Sequence, residues 1–228
     1  MFRIITGVFV LLCSIAISPL KGELCGKVDA GPTVLYVDLL ESGKTQKTLK
    51  MAGVKGDATV LVYQGLAIKP GVLFAWGKDS RVASGTLAVG YCLPITEKIK
   101  ILPNVGMNWS YLVSYVDSKE HGFYNLRQRF RSQSEFIGMD FSYSLNPSFS
   151  FIFAYQYAWC KTDNRIGKTP FVQKFRSHSS GSNFSAGVEY YYNEHLAFNF
   201  GVGYNLSLSK EKHGIRGKGL KLGVAYYF

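Results

Sequence analysis

From Lys98 to Ser114 the odd positions read Ile99, Ile101, Pro103, Val105, Met107, Trp109, Tyr111 and Val113, while the even ones include Lys98, Lys100, Asn104, Gly106, Asn108 and Ser110. The odd positions of 149–159 are Phe149, Phe151, Phe153, Tyr155, Tyr157 and Trp159, facing Ser150, Ile152, Ala154, Gln156 and Ala158. A third run places Leu196, Phe198, Phe200, Val202, Tyr204, Leu206 and Leu208 against Ala197, Asn199, Gly201, Gly203, Asn205 and Ser207. Side chains of an extended chain alternate between two faces, so a period of two predicts strands.

Read this way, the chain predicts about ten strands: 28–38, 57–64, 69–77, 84–93, 98–114, 135–145, 149–160, 183–192, 195–208 and 219–228, the first two alternating least cleanly. Short connections near 64–68, 94–97, 146–148 and 193–194 alternate with longer polar ones at 39–56, 78–83, 115–134, 161–182 and 209–218. Short turns on one rim and long loops on the other are the pattern of an outer-membrane barrel with an even strand number. The predicted fold is all-β: an antiparallel up-and-down transmembrane β-barrel of about ten strands, with eight as the alternative count. A soluble β-sandwich also alternates, but its outward face carries water-seeking Lys, Glu and Thr. Here the face opposite the Phe, Tyr, Trp, Leu and Val residues is Gly, Ser, Asn and Ala, which suits a narrow lumen. Trp76, Trp109, Tyr111, Trp159, Tyr190 and Tyr226 stand near strand ends, where amphipathic rings form interfacial girdles.

The N-terminus reads differently. Arg3 precedes an uncharged apolar run, Ile4 to Ile17, too short to span a bilayer and suited to a signal peptide, and Pro19 to Gly22 breaks it. Residues 1–22 are therefore expected to be a signal peptide and 23–228 the barrel. Lipidation would require small residues before a cysteine, whereas Cys13 follows Leu12 and Cys25 follows Leu24.

At the other end Leu220, Leu222, Val224, Tyr226 and Phe228 are apolar at every second position. Together with the strand-into-turn segment Leu87-Ala-Val-Gly-Tyr-Cys-Leu-Pro-Ile-Thr96, this resembles the small opacity-protein-like outer-membrane barrels, departing from them in having about ten strands rather than eight. The resemblance implies a bacterial outer-membrane location after export, recognition of Phe228 by the barrel-assembly machinery, and roles in attachment through external loops.

Composition agrees with a folded chain. Its 228 residues are 47% hydrophobic and 15% aromatic, which excludes disorder. Charge is more informative: Lys and Arg number 26 against 15 Asp and Glu, and the five long connections together carry +13, so the remaining expected barrel carries −4. A basic exterior attracts anions. One reading is contact with outer-membrane lipid and lipopolysaccharide phosphates; the other is adhesion to an anionic host glycan or protein. The segments Asn125-Leu-Arg-Gln-Arg-Phe-Arg131 and Lys168-Thr-Pro-Phe-Val-Gln-Lys-Phe-Arg176 interleave cations with aromatics, and Lys210 and Lys212 share the charge. The anion-binding candidates are thus Arg127, Arg129, Arg131, Lys168, Lys174, Arg176, Lys210 and Lys212. Nucleic acid has the same charge signal but the wrong compartment.

Inside the barrel, the alternation directs Lys100, Asp140, Glu189 and Lys221 inward, where isolated charges are costly and pairing is expected. A structural ion-pair plug is one reading and a narrow ion-conducting pore the other. His121, His178, His195 and His213 lie in loops or beside a turn without a neighbouring serine–acid arrangement, so the barrel is expected to be non-enzymatic, with a lipid-modifying enzyme or protease the alternative ranked behind the pore. Cys25, Cys92 and Cys160 form no metal-ligand motif, and Gly201-Val-Gly203 sits within a strand rather than a nucleotide loop. No cofactor or metal is expected. Cys25 and Cys92 fall on the same rim, where a disulfide between them is one expectation, and the barrel is expected to be a monomer.

Overall fold

The computed structural model describes residues 25–63, 65–118, 123–168 and 171–228, so the expected signal segment and His121 lie outside the described residues. The strands are β1 (Cys25–Glu41), β2 (Lys44–Tyr63), β3 (Leu66–Gly77), β4 (Ser80–Tyr91), β5 (Leu93–Pro94), β6 (Ile99–Ser118), β7 (Phe123–Asn146), β8 (Phe149–Lys168), β9 (Phe171–Tyr191), β10 (Leu196–Leu208) and β11 (Gly214–Tyr227). β5 is a two-residue pairing with Lys100 and Ile101 at a turn. The other ten strands pair antiparallel with their sequence neighbours, and β1 pairs with β11 to close the ring. At that seam Gly26 N–H donates to Phe228 O at 2.9 Å and Phe228 N–H donates to Gly26 O at 3.1 Å. Phe228, the expected assembly signal, therefore completes the β1–β11 ladder.

The strands are longer than the periodicity predicts. Most of the expected loops 39–56, 115–134 and 161–182 are strand: β1 and β2 run to a turn at 42–43, β6 and β7 reach Ser118 and Phe123, and β8 and β9 reach Lys168 and Phe171. The reason is physical: beyond the bilayer the outward face of a hairpin meets water, so nothing selects apolar residues at its alternate positions, although the backbone ladder runs on. At the 42–43 turn both central residues have positive φ, Ser42 at 49° and Gly43 at 79°, the primed geometry that matches the twist of a tight hairpin.

The outward positions form the expected apolar belt. On β8 these are Phe149, Phe151, Phe153, Tyr155, Tyr157 and Trp159, of which Phe149, Phe153, Tyr155 and Trp159 are exposed. Such a span of about ten residues is what a tilted strand needs to cross a bilayer. Tyr190, Tyr192 and Tyr226 stand exposed toward the short-turn rim, and Trp76, Trp109 and Trp159 toward the other.

The lumen carries an apolar cluster. Toward the long-hairpin end, Leu39, Leu49, Met51, Ala75 and Leu112 form a buried cluster packed by Leu35, Val37, Val82, Phe130 and Ile215. Close strand approach also needs glycine: a Cβ on Gly53 would lie 1.9 Å from Phe74 O. Leu112→Ala removes a buried side chain from this luminal cluster. The expected loss is about 2–5 kcal/mol of unfolding free energy, read as a lowered midpoint in a reversible urea titration of the detergent-folded barrel.

Candidate functional site

Charged side chains occur in two places with opposite physical demands: inside the lumen, and outside the wall above the apolar belt. In the lumen, alternation turns Lys27 and Asp29 of β1, Lys55 and Asp57 of β2, Lys69 of β3, Asp140 of β7, Glu189 of β9 and Lys221 of β11 inward. Lys27 pairs with Glu189, and Lys69 pairs with Asp140. Lys221 Nζ lies 2.8 Å from Asp29 and 3.2 Å from Asp57, while Lys55 Nζ also lies 3.2 Å from Asp57. Glu189 is only 2% exposed, so its charge depends on its partners. Tyr227 O–H donates to Glu189 Oε2 at 2.5 Å and Tyr191 O–H to the same oxygen at 3.4 Å. Asn104 Nδ2 donates to Asp140 Oδ1 at 3.2 Å, satisfying the oxygen that Lys69 leaves free.

Of the four expected lumen charges, three occupy this network, each with a partner other than the expected ones. Lys27, Asp29, Lys55, Asp57 and Lys69 were missed: Asp29 and Asp57 stand in the two expected strands that alternate least cleanly, and Lys27, Lys55 and Lys69 at or beyond the expected strand ends. Lys100 is a correction. It is exposed beside the 92–98 turn, opposite Pro94 and Ser142, and forms no ion pair among the described residues. At a rim the ammonium reaches water, so nothing compels pairing.

The outer charges follow the belt along each strand. On β8, Trp159 is followed outward by Lys161, Asp163 and Arg165; on β7, Arg131, Arg129 and Arg127 continue above Ile137, and on β9, Arg176 and Lys174 continue above His178. The register sets Arg129 opposite Arg165, and Arg165 opposite Lys174. One step down, Asp163 stands between Arg131 and Arg176, and Arg176 Nε donates to Asp163 Oδ1 at 3.0 Å. Arg131 also lies over the Tyr111 ring, 5.7 Å from its centroid. Arg129, Arg131, Asp163 and Arg165 line one surface depression. Lys210 and Lys212 are exposed on the 209–213 turn, where Gly43 N–H donates to Lys212 O at 2.9 Å. The side chain of Lys168 lies outside the described residues.

On the same outer surface Asp38 is held below the ordinary aspartate range, first by the hydroxyl of Thr48, which donates to Oδ1 at 2.6 Å, then by Arg216, whose Nε donates to Oδ2 at 2.8 Å. His178 is exposed on β9, and His195 Nδ1 lies 3.0 Å from Tyr227 O while its ring stacks on Tyr226.

The cysteines require a correction. Cys25, Cys92 and Cys160 are free thiols, and β2 and β3 separate Cys25 on β1 from Cys92 just past β4. Three strand spacings of about 4.8 Å put them roughly 14 Å apart, beyond disulfide reach.

Two outcomes are expected here. Lys27→Met alone leaves Glu189 buried without its cation and lowers stability by about 3–5 kcal/mol, whereas Lys27→Met with Glu189→Gln recovers most of it in the same urea titration. Because the folded Asp38 carboxyl titrates below its unfolded value, its stabilisation is present above the ordinary aspartate range and is lost as pH falls through the lowered folded value. Thr48→Val is expected to move the Asp38 titration upward, read by carboxyl-carbon NMR.

The family model for an outer membrane protein beta-barrel domain matches residues 7–228. Among solved structures, the chain is similar to the outer membrane protease OmpT from Escherichia coli, at 13% identity over 91% of this chain and 98% of that one, with a TM-score of 0.57. Ail, the attachment invasion locus protein of Yersinia pestis, matches at 12% identity over 91% of this chain and 100% of that one, with a TM-score of 0.44. Neisserial surface protein A matches at 11% identity over 89% and 97%, with a TM-score of 0.46. At these identities the likeness concerns the fold. No curated protein matches the chain at the sequence level.

Proposed function

Since the chain belongs to the outer membrane protein beta-barrel domain family, we propose that it is a non-enzymatic barrel of the bacterial outer membrane whose basic outer wall binds the phosphates of lipopolysaccharide. The observation that carries this reading is the row Arg129–Arg165–Lys174, three cations set side by side across adjacent strands. Like charges opposed across strands destabilise a sheet. An anion seated among them offsets that repulsion, and guanidinium groups bind phosphate through paired, charge-assisted hydrogen bonds.

Position supports a lipid anion. These side chains project from the outer face of the wall, beyond Trp159 and beside Tyr111, where headgroups meet a barrel. The single acid in the cluster, Asp163, is engaged by Arg176, which leaves the Arg129–Arg165–Lys174 row net positive. Adhesion to a sulfated glycan would use the same groups, but it would favour cations at the hairpin tips over cations on the outer face of the wall just past the aromatic belt.

The test compares wild type with R129Q/R131Q/R165Q for binding to purified lipid A in detergent, with dephosphorylated lipid A as control. Each guanidinium–phosphate contact is worth roughly a factor of ten, so the variant is expected to lose at least about a hundredfold, and the dephosphorylated ligand to bind at the variant's level. Equal binding by variant and wild type overturns the reading. Loss of heparin binding with unchanged lipid A binding would favour adhesion instead.

A further inference from the structure

The apolar cluster occupies one side of the lumen only: its members Leu39, Leu49, Met51, Ala75 and Leu112 stand on β1, β2, β3 and β6. The wall facing it carries Cys160, Thr162, Ser179 and Ser207 at inward positions of β8, β9 and β10, none of them fully buried. Ser179 and Ser207 hydrogen-bond to each other at 2.9 Å, and Ser207 O–H donates to Cys160 Sγ at 3.7 Å. These side chains therefore lie along the wall rather than across the lumen.

Midway down, the same wall is lined by carboxamides and then by little at all. Asn183 Nδ2 donates to Gln156 Oε1 at 3.4 Å, and Asn205 Nδ2 donates to Asn183 Oδ1. Ser185, which faces inward between Ala154 and Gly203, is exposed. Within 4 Å, a Cβ on Gly201 would meet only Ala186 O at 3.7 Å, and one on Gly203 only Phe184 O at 3.9 Å, both on the adjacent strand. No side chain from across the barrel approaches them. On β2, Lys55 and Asp57 face inward and are still 44% and 40% exposed. Exposure inside a closed ring means that water reaches these groups. Toward the short turns Lys27, Lys69 and Asp140 stay partly exposed as well.

We infer that this stripe of the lumen, from Ser179 past Ser185 to the ion pairs, is a water-filled path for small inorganic anions. Its polarity comes from hydroxyls, carboxamides and backbone beside glycine, which replace part of an ion's hydration without holding it tightly, as conduction requires. The four lysines and four carboxylates of the luminal ion pairs cancel. Two further inward lysines, Lys47 and Lys100, have no acid partner among the described residues, and they stand at opposite ends: Lys47 on β2 beyond Leu49, where it donates to Tyr115 O, and Lys100 on β6 beside the short turn. A cation at each mouth draws anions in and opposes cations. A ten-stranded ring is only slightly wider than one that side chains can fill, so bulky solutes do not pass.

The path lies inside the barrel and the phosphate-binding wall outside it, so the two can fail separately. The test places the full chain in planar bilayers of phosphatidylcholine free of lipopolysaccharide, in potassium chloride, with heat-modifiable mobility verifying the folded barrel. Discrete conductance steps are expected, and under a salt gradient the reversal potential takes the sign of chloride selectivity. Neutralising the mouths in K47Q/K100Q is expected to lower the chloride-to-potassium permeability ratio about twofold for each lysine, the effect of one unit charge a few ångströms away through water. Gly201→Phe puts bulk into the open stripe and is expected to reduce each step by about half or more. Ser185→Cys conducts like wild type until a bulky maleimide is attached to the folded barrel, which lowers the step beyond any change the reagent causes in wild type; this variant carries no added bulk while it folds. Silent bilayers with the folded barrel inserted overturn the inference. So do steps that the maleimide leaves unchanged, which would place the current outside the lumen, and so does potassium selectivity. Absent conductance with intact lipid A binding rejects the path alone and leaves the wall's role standing.

Discussion

Hydrocarbon offers no partner to a backbone N–H or C=O, so a strand crossing a bilayer survives only when both neighbours hydrogen-bond to it. In this protein the condition is met by closure. The ladder passes through ten long strands and returns from β11 to β1, with Gly26 and Phe228 exchanging backbone hydrogen bonds at the seam. Once the ring is closed, alternate side chains face lipid and lumen, and every further property follows from what each environment tolerates. The lipid side accepts the Phe, Leu, Val and Tyr belt; the lumen accepts whatever fills a cylinder slightly wider than eight strands enclose.

The lumen holds two different kinds of packing. Toward the short turns it holds charges, each neutralised by at least one partner and several satisfied further by Tyr191, Tyr227 or Asn104. Lys221, between Asp29 and Asp57, ties β11 to β1 and β2 across the seam. Toward the long hairpins the filling is apolar, built on Leu39, Leu49, Met51, Ala75 and Leu112. The two layers restrain the ring differently: ion pairs demand particular partners, whereas the apolar cluster demands volume.

Beyond the bilayer the same ladder continues in water, and the demand for apolar outward residues ends. Charges appear there at once: Lys161 follows Trp159 on β8, and Glu135 and then Arg131 follow Ile137 on the outer face of β7. Because β6 to β9 extend past β10, the sheet loses its closure above Ser180, and a backbone edge that the membrane would forbid is tolerated. The basic wall and the free edge are thus consequences of one event, the passage of the barrel wall from hydrocarbon into water.

The period of two, read from residues such as Ile99 to Val113 and Phe149 to Trp159, determined the existence of the strands, their number and their lipid-facing sides. Those signals are local, because a bilayer constrains each strand independently of its neighbours. The inward orientation of Asp140, Glu189 and Lys221 was legible for the same reason. Their partners were not, since Lys27 meets Glu189 and Lys69 meets Asp140 only through the strand order and stagger of the closed ring. The luminal cluster of Leu39, Leu49 and Met51 lay within a segment that reads as loop, since Lys44, Lys47 and Lys50 make that stretch read as polar. Tertiary register likewise decided that Arg129, Arg165 and Lys174 form one row and that Cys25 and Cys92 stand apart. Such juxtapositions arise between strands distant in sequence, and no pattern along a single strand encodes them.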